Sequence, residues 1–183
     1  MGGAEYMKSI KKYETIINEA LRSALEYDTP EGQINEFISF FGKHIGSDRI
    51  YIFEDDEEHH VTNNTYEWCT EGITPQIEHL QGVNMEVIDW WYDTFDEGKS
   101  VIISDVEELK GVHQISYNML KYQNVRKVVV SPLRHKGQIK GFFGVDNPPA
   151  VDYNALTMFL DMIGTMLISL LKIRNTLDRK SVV

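Results

Sequence analysis

The sequence predicts an α+β fold, and three observations carry that expectation. Residues 125–148 (VRKVVVSPLRHKGQIKGFFGVDNP) read as one long antiparallel hairpin, with four valines and a leucine between Val125 and Leu133. That β-branched density suits a strand far better than a helix. Both ends of the chain carry apolar residues at alternating spacings of three and four, the pattern of a helix with a single apolar seam. Between them, short strand-like and short helical runs alternate, punctuated by Gly, Pro and Asp.

Composition bounds the function. At 183 residues, 42% hydrophobic and 25% charged, the chain has the make-up of one globular domain able to bury a core without disulfides or metal. A net charge of −10 argues against a nucleic-acid partner, which is normally met by clustered Lys and Arg. The single cysteine, Cys69, rules out a disulfide within one chain and fits a reducing compartment. No apolar run is expected to reach the roughly 18 to 20 residues that cross a bilayer, and no secretion signal is expected, since the first residues lack a charged-then-apolar pattern. The expected location is therefore cytoplasmic, with no membrane partner.

Taken in order, residues 6–24 form a helix whose seam runs through Tyr6, Ile10, Tyr13, Ile17, Ala20 and Ala24. It packs either on its own domain or on a second chain. Thr29 and Pro30 restart the chain as N-cap and first helical residue, and Gly46 ends the helix they open. Residues 49–54 and 61–69 are paired strands joined by the acidic loop 55–60. That loop, with His59 and His60, has metal-ligand residue types, but neighbours at an exposed tip do not converge on one ion. A short helix is expected at 75–80, an amphipathic helix at 85–97, a strand at 101–104, a loop at 106–111 and a helix at 112–123.

In the hairpin, Lys136-Gly137 supplies the turn, and Pro132 removes a ladder donor and implies a bulge nearby. Gly141 and Gly144 permit close approach of another backbone or a ligand. Asp152 then caps a helix to about Leu177, whose seam is Phe159, Ile163, Met166, Leu170, Ile173 and Leu177. Segment 1–27 is read as a dimerisation helix and 28–183 as the main domain with a long output helix.

Several segments together resemble the GAF domain, a small-molecule-binding sensory fold related to PAS. They are Tyr66-Glu67-Trp68-Cys69-Thr70-Glu71-Gly72, Ile102-Ile103-Ser104-Asp105-Val106, Val128-Val129-Val130-Ser131-Pro132-Leu133, and Gly141-Phe142-Phe143-Gly144-Val145-Asp146-Asn147-Pro148. The first looks like GAF domains placed before diguanylate cyclase (GGDEF) or cyclic-di-GMP phosphodiesterase modules in bacterial signalling proteins. The resemblance implies a six-stranded antiparallel sheet, with terminal helices on one face and a ligand pocket under helices and loops on the other. It also implies a homodimer through the terminal helices, with Ile10, Tyr13, Ile17, Phe159, Ile163, Met166, Leu170 and Ile173 at the interface.

If helices 85–97 and 112–123 roof that pocket, Trp68, Trp90, Trp91 and Tyr117 are its candidate walls. Glu67, Ser104, Asp105, Ser131 and Asp146 are its candidate polar groups. The tryptophans serve equally as core, and Asp105 and Asp146 equally as turn caps. The cyclic-nucleotide motif of such domains is matched only at Asn147, and Cys69 lacks the adjacent histidine of bilin-attaching cysteines. The sulfoxide reductases with this fold need two cysteines, which a lone Cys69 does not supply. The expectation is a non-catalytic sensor for an unidentified small molecule, without an assigned cofactor, coupled to a C-terminal output module. The alternative is a ligand-free interaction domain whose cavity is filled by its own tryptophans.

Overall fold

In the computed structural model, which describes residues 2–149 and 152–182, the hairpin forms between β5 (Val128–His135) and β6 (Gln138–Asp146). Val183, the bound of the second expected segment, lies outside the described residues. Lys136 and Gly137 have φ of 50° and 75°, the two positive angles that a two-residue hairpin turn requires. The register shifts between Leu133 and Arg134, next to the donor that Pro132 lacks. At Gly141, φ is 150° and a Cβ would lie 2.0 Å from the Phe53 carbonyl oxygen, so the neighbouring strand takes the space a side chain would need.

Four more strands complete the sheet: β1 (Arg49–Asp56), β2 (Val61–Cys69), β3 (Val83–Asn84) and β4 (Val101–Ile103). All pairings are antiparallel, and the order is β3-β2-β1-β6-β5-β4, which puts the hairpin beside the central strand β1. One face is covered by α1 (Gly2–Ala24), α2 (Pro30–Ile45) and α5 (Tyr153–Ser181). The other lies under α3 (Asp89–Asp96), α4 (Gln114–Tyr122) and the 3-10 turns Met85–Ile88 and Val106–Leu109. Because both faces are covered, alternate residues of one strand enter different cores. Ile50, Ile52, Val129, Leu133, Phe143 and Val145 face the terminal helices, while Tyr51, Phe53, Val128, Val130 and Phe142 face the roof. That is why β5 and β6 read as nearly unbroken apolar runs.

The caps follow the sequence closely. Thr29 Oγ1 accepts from Gly32 N at 3.1 Å, and Asp152 Oδ1 accepts from Ala155 N at 3.1 Å. Several elements differ from expectation. Residues 75–80 form turns rather than a helix, the 85–97 helix begins as a 3-10 turn, and a second 3-10 turn replaces the loop at 106–109. The two-residue β3 is too short to leave a periodic signal.

The terminal seams need a larger correction. Tyr13, Phe159 and Ile163, assigned to a dimer interface, are buried inside the chain's own core, where the Tyr13 and Phe159 rings meet edge to face at 5.9 Å. Ile10, Ile17, Met166 and Leu170 are half-buried against the same core. Of that set only Ile173 is exposed, at 48%, together with Leu177 at 51%. The inward line of α1 is Tyr13, Ile16, Ala20 and Ala24, so the helix belongs to the same core as the sheet. The expectation that no segment is long and apolar enough for a membrane also fails. α5 has 29 residues and an 18-residue window of mean hydropathy 1.7. Its apolar character has an internal use, since Ala155, Leu156, Phe159, Leu160, Ile163, Gly164, Leu167 and Leu171 are buried in the core.

Candidate functional site

Strand alternation puts Arg49, Tyr51 and Phe53 of β1, Glu67 of β2, and Phe142 and Asp146 of β6 on the roofed face. Together with Leu80, Val83, Ile88, Trp91, Met119, Leu120 and Gln123 above them they line a cavity of about 30 Å³. Its interior is filled with aromatic rings. Phe53 stacks on Phe142 at 4.8 Å, and Trp91 meets Phe142 edge-on at 5.5 Å. Tyr51 lies across Gly144, where a Cβ would come within 2.5 Å of its ring. The close approach that Gly144 permits is thus taken up by a side chain of the adjacent strand.

A buried ionic cluster closes one end. Arg49, 3% exposed, donates from Nη1 to Asp146 Oδ2 at 2.7 Å and from Nη2 to the Thr74 carbonyl at 2.9 Å. Its Nε lies 3.5 Å from Glu67 Oε2 without a hydrogen bond. Glu67 Oε1 in turn accepts the backbone N–H groups of Gln76 at 2.9 Å and Ile77 at 3.2 Å, which fixes the loop over the cavity. Burial pushes the Asp146 carboxyl up to about 6, against the opposing pull of Arg49. Burial opposes the charge of Arg49, yet Asp146 beside it holds the guanidinium above its ordinary value. Burial, reinforced by Asp146, also drives the Tyr51 phenol well upward.

Among the described residues, three buried side-chain polar atoms are left without a hydrogen-bond partner: Arg49 Nε, Trp91 Nε1 and Asp146 Oδ1. All three residues line the one cavity. Arg49 and Gln123 also border an outer groove of about 340 Å³, formed with Gly72, Ile73, Thr74, Gln76, Tyr122 and Asn124. The inner cavity therefore abuts a solvent-facing space large enough for a small molecule.

Of the residues expected at the pocket, the structure gathers Glu67, Trp91 and Asp146 and disperses the rest. Trp68 points to the opposite face, where a Cβ on Gly42 would come within 2.3 Å of its ring. Ser131 is on that face too, its Oγ 2.7 Å from Ser100 Oγ. Trp90 joins α3 to α4, stacking on His113 at 4.2 Å and donating to Ser116 Oγ at 3.0 Å. Tyr117 donates to Glu107 at 3.1 Å, Asp105 accepts from Glu107 N at 3.0 Å, and Ser104 is exposed at the end of β4. Cys69, half-buried, does not line the cavity, and burial, with Glu67 nearby, raises its thiol. Among the described residues no group of three metal-ligating side chains converges. The sequence reading missed Arg49, Tyr51, Phe142 and Gln123. Arg49 carried a signal, because a lone cation opening the apolar strand RIYIFE needs a buried counter-charge.

A six-stranded antiparallel sheet with terminal helices on one face and a roofed cavity on the other is the GAF fold. Solved structures agree: the GAF domain of a Coxiella burnetii phosphoenolpyruvate-protein phosphotransferase superposes with a TM-score of 0.71 at 10% identity, over 95% of this chain and 99% of that one. The phycocyanobilin-bound GAF domain of a cyanobacterial phytochrome gives 0.67 at 16% identity, covering 86% and 94%. A far-red-absorbing protein with bound biliverdin gives 0.65 at 12% identity, covering 87% and 99%. No protein-family model and no curated protein sequence matches the chain.

Proposed function

We propose that this chain is a non-catalytic small-molecule sensor whose ligand enters from the outer groove and reaches the Arg49–Asp146 cluster. The observation that carries this reading is that three unpartnered, deeply buried polar atoms belong to residues lining one apolar cavity. A core without a guest tends to satisfy such atoms or replace them by apolar groups, because each buried orphan is destabilising. A linear tetrapyrrole is disfavoured, since the interior of about 30 Å³ is taken up by Phe53, Phe142 and Trp91. Native mass spectrometry of freshly purified protein tests the reading: a retained small molecule, lost in a Gln123→Trp variant that crowds the groove, is the expected result.

The output in this proposal is the outer half of α5, whose exposed Ile173 and Leu177 pair with a second copy and pass the signal to a C-terminal module in the cytoplasm. The likeness of residues 66–69 to domains that precede diguanylate cyclases supports that choice of module. The alternative, a ligand-free interaction domain, is favoured by the same small volume, well below the roughly 300 Å³ of an ordinary ligand site. A protein that carries no guest and binds none under titration would decide for that alternative.

A further inference from the structure

The chemistry of the unpartnered atoms narrows the ligand. Building on the sensor reading above, we propose that the site recognises a neutral planar molecule with a lactam-type edge, one ring carbonyl beside one ring N–H. The unpartnered set is two donors, Arg49 Nε and Trp91 Nε1, and one acceptor, Asp146 Oδ1. A carbonyl oxygen has two lone pairs and takes both donors, while the adjacent N–H donates to the carboxylate. Indole N–H groups that are buried usually find such a partner. An anionic ligand would face two carboxylates, Asp146 and Glu67, already set against a single guanidinium. A cationic one would sit against Arg49.

The space fits an edge rather than a whole molecule. The inner cavity of about 30 Å³ has room for little more than one water-sized group, so it admits the polar edge alone. The ring lies further out, where Arg49 and Gln123 border the groove of about 340 Å³. Tyr122, 85% exposed on that groove, offers the ring an aromatic wall.

The test uses the full chain with 2-pyridone as probe and N-methyl-2-pyridone as control, which keeps ring and carbonyl but lacks the N–H. Titration of 2-pyridone is expected to move the Trp91 indole N–H proton resonance, assigned with Trp91→Phe. The N-methyl control is expected to bind at least about tenfold more weakly, the worth of one hydrogen bond to a charged group. Gln123→Trp, a change at a half-buried position, is expected to block the probe with the melting temperature unchanged. Equal affinity for the two compounds, or an indole resonance that stays still, overturns the lactam assignment. A co-purified ligand of other chemistry with no pyridone response overturns that assignment and leaves the sensor reading standing. No co-purified ligand and no response to either compound overturns both.

Discussion

Asp146 is a carboxyl buried where Arg49 donates to its Oδ2 and where Arg49 and the Tyr51 hydroxyl both favour its charged form against the cost of burial. Its folded value of about 6 is above the ordinary carboxylate value, so the folded chain holds this proton more tightly than the unfolded chain. The sign follows: the contribution to stability is fully present below about pH 4 and is lost as pH rises through about 6. A shift of about two units corresponds to about 3 kcal/mol. Denaturant unfolding at pH 4 and pH 7 should show the stability of the wild type relative to Asp146→Asn falling by up to that amount; a difference that stays flat with pH contradicts the assignment. Gly144 is the other residue with a defined task. Gly144→Ala would push a methyl into Tyr51, and over-packing of this kind should lower stability by about 1–3 kcal/mol in denaturant unfolding. An unchanged midpoint would show that Tyr51 can move freely off β6.

At the scale of elements, β1 links the candidate site to α5. Its roofed face carries Arg49, Tyr51 and Phe53, and Glu54 at its far end turns to the terminal helices. There Arg174 of α5 grips Glu54 with its two terminal guanidinium nitrogens, Nη2 at 2.6 Å and Nη1 at 3.0 Å, and Nη1 also donates to the Tyr66 hydroxyl at 3.1 Å. This paired geometry on a half-buried group is the strong form of a charged hydrogen bond. Leu171 is the last buried residue of α5, so the Arg174 clasp fastens the helix just past the edge of its apolar contact. Arg174→Met should cost about 1–3 kcal/mol and speed amide exchange in residues 172–181 while leaving β1 and β6 protected. Exchange that remains slow in that segment would show the clasp is not what holds it.

For the whole molecule, the two faces of one sheet divide the work. One packs on helices through Leu156, Phe159, Ile163 and Leu167, and the other holds the ionic cluster and its cavity. If the outer half of α5 pairs two copies, Ile173→Glu together with Leu177→Glu should reduce the sedimenting mass from a pair to a single chain with little change in melting temperature. Phe159→Glu, by contrast, should unfold the chain, because it places a charge in the core. Pairing that persists in the Ile173→Glu and Leu177→Glu variant would remove the outer half of α5 from the interface.

What the sequence determined by itself was local. The hairpin turn at Lys136-Gly137, the slip beside Pro132, and the caps at Thr29 and Asp152 are set by φ limits and hydrogen-bond chemistry within a few residues. The face to which each strand residue points was decided only by tertiary structure. With both faces of the sheet covered by apolar groups, Trp68 and Glu67 are adjacent in sequence and alike in hydropathic context, yet one enters the helical core and the other the cavity. The terminal seams failed for a related reason, since spacings of three and four describe a helix that buries one face without saying what lies against it. In α5 that is the chain's own sheet as far as Leu171, because the sheet is wide enough to occupy the stripe before any partner can.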